Sequence, residues 1–468
     1  MAYAHYDRLT ALDATFLGIE SDSVHMHVGA IGIFDAKPLT LPEGGIDMPR
    51  IRRLAGPTLA RSRRFRQRLD RVPIFGDPVW VDDARFNLDY HLRHTALPAP
   101  GDERQLKRLA GRLLSQKLDR HKPLWEMWFV ENLEGDRFAV ITKVHHCMVD
   151  GISGVDLMGM MMQPDPHGTG PDGDAPPWLP RPAPNQTQLL AAETLRRAAL
   201  PLDLLRAGGR ALSEPRQSLD AARETLEGVS RFLGAGLEGG DPTPLNPDIG
   251  PHRRFDWTRM DLAAIKEVKE RLGGTVNDVV LATVAGAVRT FLERRGVEVD
   301  DLDFRAQVPV NVRRAEERGH LGNRVVLLLA QLPVNERDPR RRYERVVEVT
   351  RGLKSSHQVE GEELLEALSD WTTKELLALL ARITARTLAY NIVVTNIPGP
   401  QFPVYMLGAR MLEVYPVVPL FVNQAVGIAL FSYDGALYWG FNACWDALPD
   451  LHDLVTAVGA EFETLRKL

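Results

Sequence analysis

Two adjacent histidines, His145 and His146, stand ahead of Asp150 and Gly151 in the pattern H-H-x-x-x-D-G. An imidazole titrates close to neutral pH, so it can take a proton from a hydroxyl and hand it to a leaving group. That chemistry asks for a ring fixed at the end of a rigid element, with a carboxylate close by. The preceding run, Phe138 to Val144, reads as a strand, and Ile152 to Met162 reads as a helix. Neighbours on a strand point to opposite faces. His146 shares its parity with Phe138, Val140, Thr142 and Val144. Unless the strand ends between them, one histidine faces a reaction channel while the other packs or hydrogen-bonds. Asp150, beyond the turn, either orients the base or fixes the loop.

Adjacent histidines with an aspartate also invite a zinc reading. H-E-x-x-H is absent, and Cys147 and Cys444 form no ligand cluster, so no metal is expected. No G-x-S-x-G elbow offers a serine nucleophile. Cys147 follows His146 on what parity makes the opposite face, which gives it a structural role.

The elements around the pair follow from composition and periodicity. At 468 residues the chain is too long for one ordinary core, and two domains are expected. A net charge of -5 argues against a general nucleic-acid binder. Two cysteines give no disulfide framework, which fits a reducing, cytoplasmic setting. Met1 to Thr10 lacks the apolar core of a secretory signal. Val279 to Val288 and Val325 to Val334 fall well short of the roughly 20 apolar residues of a membrane helix. Tyr415 to Phe431 is broken by Pro416, Pro419, Asn423 and Gln424. Peripheral attachment to a lipid surface stays open.

Gly29 to Phe34 reads as a second strand of the N-terminal block, and Gln105 to Leu118 as a helix with Leu106, Leu109, Leu113 and Leu114 on one face. The charged run Arg61 to Arg71 reads as a solvated helix face. Pro and Gly crowd Gln163 to Gln186 and mark a mobile linker. Helical periodicity returns from Thr187 to Leu237. Its part from Leu189 to Arg206 either lies on a lipid interface or, the preferred reading, packs as a connector. Further on, Leu262 to Leu272 is a helix ended by Gly273-Gly274. Asn277-Asp278 opens another over Val279 to Arg295, closed by Gly296. Strand-like runs follow at Phe304 to Val312, Val325 to Val334, Tyr390 to Thr395 and Ala425 to Tyr433. The fold class is α/β. The chain divides into 1–162, carrying the histidine pair, a linker and helical connector over 163–250, and a C-terminal domain over 251–468.

H-H-x-x-x-D-G resembles the signature of the superfamily of chloramphenicol acetyltransferase, carnitine and plant acyltransferases and peptide-synthetase condensation domains. Further segments resemble the bacterial wax ester synthase/diacylglycerol acyltransferases: Leu9-Thr10-Ala11-Leu12-Asp13, Pro123-Leu124-Trp125-Glu126, Thr243-Pro244-Leu245-Asn246, Asn277-Asp278-Val279-Val280-Leu281-Ala282, Val308-Pro309-Val310-Asn311-Val312-Arg313, Leu321-Gly322-Asn323 and Asn396-Ile397-Pro398-Gly399-Pro400. They stand in the family's order and span nearly the whole chain. Two small departures are Cys147, where the family often has Ala, and Thr395, where Ser is common.

The resemblance implies two chloramphenicol-acetyltransferase-like domains, each a mixed sheet with helices, meeting around a tunnel. It implies His146 as general base, with His145 and Asp150 framing it. The donor would be a long-chain acyl-CoA, which is a substrate, so no cofactor is expected. The acceptor would be a diacylglycerol or a long-chain alcohol, met at a membrane or lipid-droplet surface. Superfamily relatives pair the motif Asp with an Arg of the other domain, which implies an Asp150–Arg313 salt bridge, and Gly151 lets the chain turn. Pro123, Leu124 and Trp125 read as packing below the strand or as channel wall. Asn277 and Asp278 read as a helix cap or a channel-shaping pair, and Thr395 and Asn396 as a wall near His146. Two other classes stay open: a condensation-type enzyme using a carrier-bound acyl group, and a non-catalytic lipid-binding or lipid-droplet protein.

Overall fold

A computed structural model describes residues 5–148, 154–168, 177–198, 240–311, 325–355 and 390–468. Two six-stranded mixed sheets, each covered by helices, make up the described chain, with a small third sheet beside the first. The first sheet has the order β12-β13-β2-β7-β6-β5. Its strands are β2 (His27–Asp35), β5 (Leu92–Ala96), β6 (Trp125–Leu133), β7 (Arg137–His145), β12 (Tyr405–Met406) and β13 (Ala409–Val417). The second has the order β10-β9-β11-β14-β15-β8. It comprises β8 (Arg253–Asp261), β9 (Phe304–Asn311), β10 (Val325–Leu332), β11 (Ile392–Pro398), β14 (Val426–Tyr433) and β15 (Ala436–Cys444). The third is β1 (Asp7–Arg8), β4 (Pro78–Asp82) and β3 (Gln67–Arg71). The described helices are α1 (Ala11–Ile19), α2 (Met48–Ala60), α3 (Leu88–His91), α4 (Glu103–Leu114), α5 (Gly154–Gly159), α6 (186–198), α7 (Leu262–Leu272), α8 (Val276–Arg294), α9 (Pro339–Ser355) and α10 (Leu451–Lys467).

Strand β7 is central and buried on both faces, which is why its sequence is a near-continuous apolar run. Lys143 interrupts that run with a buried charge. Its Nζ donates to Leu113 O at 3.1 Å and Gln116 O at 2.8 Å, at the carbonyl-rich end of α4. Helix α4 starts with a capping box between Asp102 and Gln105 and turns Leu106, Leu109, Leu113 and Leu114 inward.

The two sheets meet along β13. This strand lies late in the sequence but pairs with β2 of the first sheet. Tyr415 stacks on Trp257 of β8 at 4.8 Å and meets Tyr438 of β15 edge-on. Tyr433 and Tyr438 donate their hydroxyls to Met411 O and Leu412 O, each at 3.0 Å. A Cβ on Gly440 would stand 2.0 Å from Pro416 O, so only glycine lets β15 come this close to β13. Gly111 plays the same part where α4 meets Arg253 of β8.

Two expectations need correction. Arg61 to Arg71 is a short 3-10 turn, Arg63–Arg66, followed by β3. Its side chains are engaged: Arg63 and Gln67 bind Asp82, Arg64 lies over Trp80 and Arg66 over Trp178. Partners distant in sequence override the local charge pattern here. The Pro/Gly-rich segment is also held at several described positions. Gln163 bridges Tyr405 through paired backbone bonds, Arg181 holds Asp82, and the Trp178 indole donates to Asp83 O. Helix α6 packs on the small third sheet, with Leu189 buried among Val72, Val79 and Val81. Glu193 of α6 binds Arg8, Arg196 and Arg197.

Among the described residues no single helix is long and apolar enough to cross a membrane. The pair α7–α8 passes by length and composition but is bent by 94°. Helix α8 is the buried centre of the second core.

Candidate active site

Strand β7 ends at His145, and a 3-10 turn, His146–Met148, follows at once. Two flanking segments hold this end through their backbones. The His145 amide donates to Leu124 O at 2.9 Å, and the His146 amide donates to Met26 O at 2.7 Å. Pro123-Leu124-Trp125 thus supports the histidines with a carbonyl. The Trp125 ring is fully buried, donates to Phe65 O at 2.8 Å and stacks on His91 at 4.5 Å. Burial pushes His91 down to about 4, although the Trp125 carbonyl favours its charged form.

The two rings then part. His146 lies against Phe16 of α1, with ring centroids 4.0 Å apart. Phe16 packs against both large cores, so His146 sits at their seam. Burial lowers the His146 imidazole to about 4, opposed by its own carbonyl and reinforced by His145. The ring is therefore neutral at pH 7. Its Nδ1 has no hydrogen-bond partner among the described residues, and part of the residue still reaches the surface. A neutral imidazole is equipped to accept a proton.

His145 is fully buried. Its Nδ1 accepts the Cys147 amide at 3.1 Å, and its Nε2 lies 3.6 Å from Oε1 of Glu20. Burial alone would raise Glu20, but His145 and Arg120 outweigh it and hold the carboxyl at about 2. Arg120 donates to Glu20 through both Nε, at 2.9 Å, and Nη2, and also to Leu17 O at 3.2 Å. His27 stands opposite His145 in the strand register and meets it edge-on at 6.1 Å. The Leu118 amide donates to His27 Nε2 at 3.4 Å, and burial pushes His27 well below the usual range. His25 donates to Asp22 O at 3.0 Å. Sequence reasoning missed Glu20, His25, His27, Phe16 and Arg120. The available signal was the H-x-H alternation of His25 and His27 at a strand start, which puts both on one face.

The Cys147 thiol is pushed well above its ordinary range by burial, with Asp13 and Glu20 adding to it, so it is no nucleophile near neutral pH. Asp150, Gly151 and Arg313 lie outside the described residues, and the Asp150–Arg313 pairing with them, as does Leu321-Gly322-Asn323. Asp278 serves the start of α8. Its Oδ2 accepts the Thr275 amide at 2.7 Å and hydroxyl at 2.8 Å, and its Oδ1 accepts the Thr350 hydroxyl at 2.6 Å. Thr275 is the N-cap, and Asn277 is half-buried beside it. Thr395 and Asn396 lie half-buried on β11, whose next residue, Ile397, packs against the first core. Thr243-Pro244-Leu245-Asn246 forms a polar lock with Asn391, bonding through Asn246 Nδ2 to Asn391 O at 3.0 Å and Asn423 O at 2.9 Å. Among the described residues no group of three or more His, Cys, Asp or Glu side chains is placed to hold a metal.

A buried, neutral histidine at the seam of two α/β domains narrows the field, and comparison with known proteins closes it. The wax ester synthase/diacylglycerol acyltransferase catalytic domain matches residues 9–280, and the C-terminal domain of the same family matches 321–466. The chain belongs to that family. A Mycobacterium tuberculosis protein provisionally named a diacylglycerol O-acyltransferase is 32% identical over 456 residues, 96% of this chain and 88% of its own. The solved wax ester synthase/diacylglycerol acyltransferase of Marinobacter aquaeolei VT8 is 27% identical with a TM-score of 0.66, covering 98% of this chain and all of that one. A condensation domain of a calcium-dependent antibiotic synthetase shares the fold, at 18% identity and a TM-score of 0.59 over 99% of this chain and 96% of its own. The members of the wax ester synthase/diacylglycerol acyltransferase family are thus the relatives against which this site is to be read.

Proposed function

We propose that the protein transfers a long-chain acyl group from acyl-CoA to the hydroxyl of a diacylglycerol or long-chain alcohol, with His146 as general base. The observation that carries this is the neutral His146 ring at the seam, in a chain of this family. The acceptor hydroxyl gives its proton to His146 as its oxygen attacks the thioester carbonyl. The C–S bond then breaks, and the imidazolium returns the proton to the departing CoA thiolate. No covalent enzyme intermediate forms. The oxyanion needs donors, for which backbone amides or Asn396 are the candidates. A tunnel between the two sheets would bring thioester and acceptor to His146 from opposite sides. Asp150 and Arg313 would pair across the domains to hold the loop. The lipid acceptor is insoluble, so the protein would work in the cytoplasm at a membrane or droplet surface, attached peripherally.

The likeness to condensation domains favours one other reading, amide formation from a carrier-bound acyl group. Supplying acyl-CoA with hexadecanol, a diacylglycerol or an amine, and measuring released CoA and product, separates the two. Ester formation that vanishes in His146→Ala supports the proposal. Amide as the sole product, or lipid binding without CoA release, overturns it.

A further inference from the structure

Helix α1 touches both members of the histidine pair. Phe16 lies on His146 at 4.0 Å, and one turn later Glu20 approaches His145. The two positions are coupled, because the Glu20 amide donates to Phe16 O at 3.2 Å. Arg120 fastens this end of the helix by binding the Glu20 carboxylate and the Leu17 carbonyl.

The hydrogen bonds also fix protons. His145 Nδ1 accepts the Cys147 amide at 3.1 Å, so it carries no proton and the neutral ring must be protonated at Nε2. That Nε2–H has no hydrogen-bond partner within bonding distance among the described residues, and the nearest carboxylate oxygen is Glu20 Oε1 at 3.6 Å. The neighbouring ring cannot substitute. His27 Nε2 accepts the Leu118 amide, so its own proton is on Nδ1. Reversing the His145 tautomer would set Nδ1–H against the Cys147 N–H, two donors face to face inside the protein. The bond to Cys147 spans the turn that carries His146.

We propose that Glu20 is a positioning residue for the transfer step: its carboxylate, held by Arg120 and 3.6 Å from His145 Nε2, reinforces through its charge the Nε2–H tautomer that the Cys147 amide selects, and His145 in turn sets the turn that presents His146. The proposal rests on the assignment of His146 as the base. Glu20 touches no reacting atom; it acts through His145, much as a carboxylate orients the base of a catalytic triad, but one residue removed.

Two measurements on the full chain test it. In protein labelled with 15N-histidine, with His145 assigned from the spectrum of His145→Ala, the wild-type ring gives an unprotonated Nδ1 and a protonated Nε2. An Nδ1–H tautomer overturns the proposal whatever the activity. In turnover assays, Glu20→Gln keeps an acceptor and retains kcat within about threefold, whereas Glu20→Leu lowers kcat about tenfold or more with KM for acyl-CoA within about twofold. Against His145→Ala, the same Leu substitution costs less than about twofold, since the two residues act in series. Equal losses in both backgrounds, or a change confined to KM, overturn it. If Glu20→Leu fails to fold, Glu20→Ala replaces it in the same assays: a kcat loss of about tenfold or more that shrinks below about twofold against His145→Ala supports the proposal, and near-normal kcat overturns it. Near-normal turnover by His146→Ala strikes the base assignment instead and leaves the tautomer result standing.

Discussion

The end of β7 and the Asn246–Asn391 lock are both buried polar clusters, and they treat their polar atoms in opposite ways. In the lock every amide atom is engaged. Asn391 donates to Asp241 O at 2.7 Å and Asn246 Oδ1 at 2.9 Å, and it accepts the Arg305 amide at 2.8 Å. Asn246 donates twice to carbonyls and accepts from Thr243 at 2.8 Å. Around β7, His25, His27, His145 and His146 each leave one ring nitrogen without a hydrogen-bond partner among the described residues. Buried polar groups are ordinarily satisfied, because leaving one unmade costs about 1–3 kcal/mol. The lock obeys this rule and holds the linker to the second sheet. The histidine cluster departs from it around the proposed base.

The comparison breaks most visibly at His146. His146→Ala lowers kcat about 10²–10⁴-fold, the usual worth of a general base, while the variant still folds, with a modest drop in melting temperature from the lost Phe16 contact. CoA release and calorimetry check both halves, and a variant that unfolds without losing turnover per folded molecule would reverse the roles of the two clusters. Asn391→Ala shows the opposite profile. It strips bonds from the Arg305 amide, Asp241 O and Asn246, and is expected to cost about 3 kcal/mol in urea unfolding, from unmade bonds at about 1–3 kcal/mol each. Turnover per folded molecule stays near normal.

Acid sharpens the contrast. His146 and His91 are each lowered from 6.5 to about 4. The unfolded chain therefore binds their protons first, so stability is complete above about pH 6.5 and falls as pH drops toward 4. Each such histidine steepens the slope by ~1.4 kcal/mol per pH unit. His146→Ala flattens the slope by one proton; an unchanged slope places the depressed group elsewhere. Glu20 adds a lower window, since its carboxyl is held at about 2 against 4.5. Its contribution is present above 4.5 and is lost as pH falls through 2. The smallest effect is at the α8 cap. Thr275→Ala is expected to cost ~1 kcal/mol, read as a lower melting temperature with unchanged turnover.

Much of the fold was legible because periodicity is local. The alternation around Phe138–Val144 and Gly29–Phe34, and the Gly273-Gly274 stop before α8, translate directly into elements. Where partners lie far apart in sequence, local reading failed. Arg61 to Arg71 reads locally as a charged helix face, whereas in the structure Asp82, Trp80 and Trp178 engage its side chains. Strand β13 joins a sheet whose other main strands lie more than 250 residues earlier in the chain, and no periodicity announces that crossing.

The sequence alone determined the chemistry on offer: a pair of imidazoles at a strand end, and motifs that name a family. Residue type fixes what an atom can donate or accept, and the turn that begins at His146 takes that ring out of the strand's alternation. Only the tertiary structure decided which atoms meet. It brought Phe16 onto His146, set Glu20 and Arg120 behind His145, and placed Leu124 and Met26 carbonyls under the pair. Those contacts join segments up to 130 residues apart, and long-range pairing depends on the whole packed chain, which no local pattern encodes.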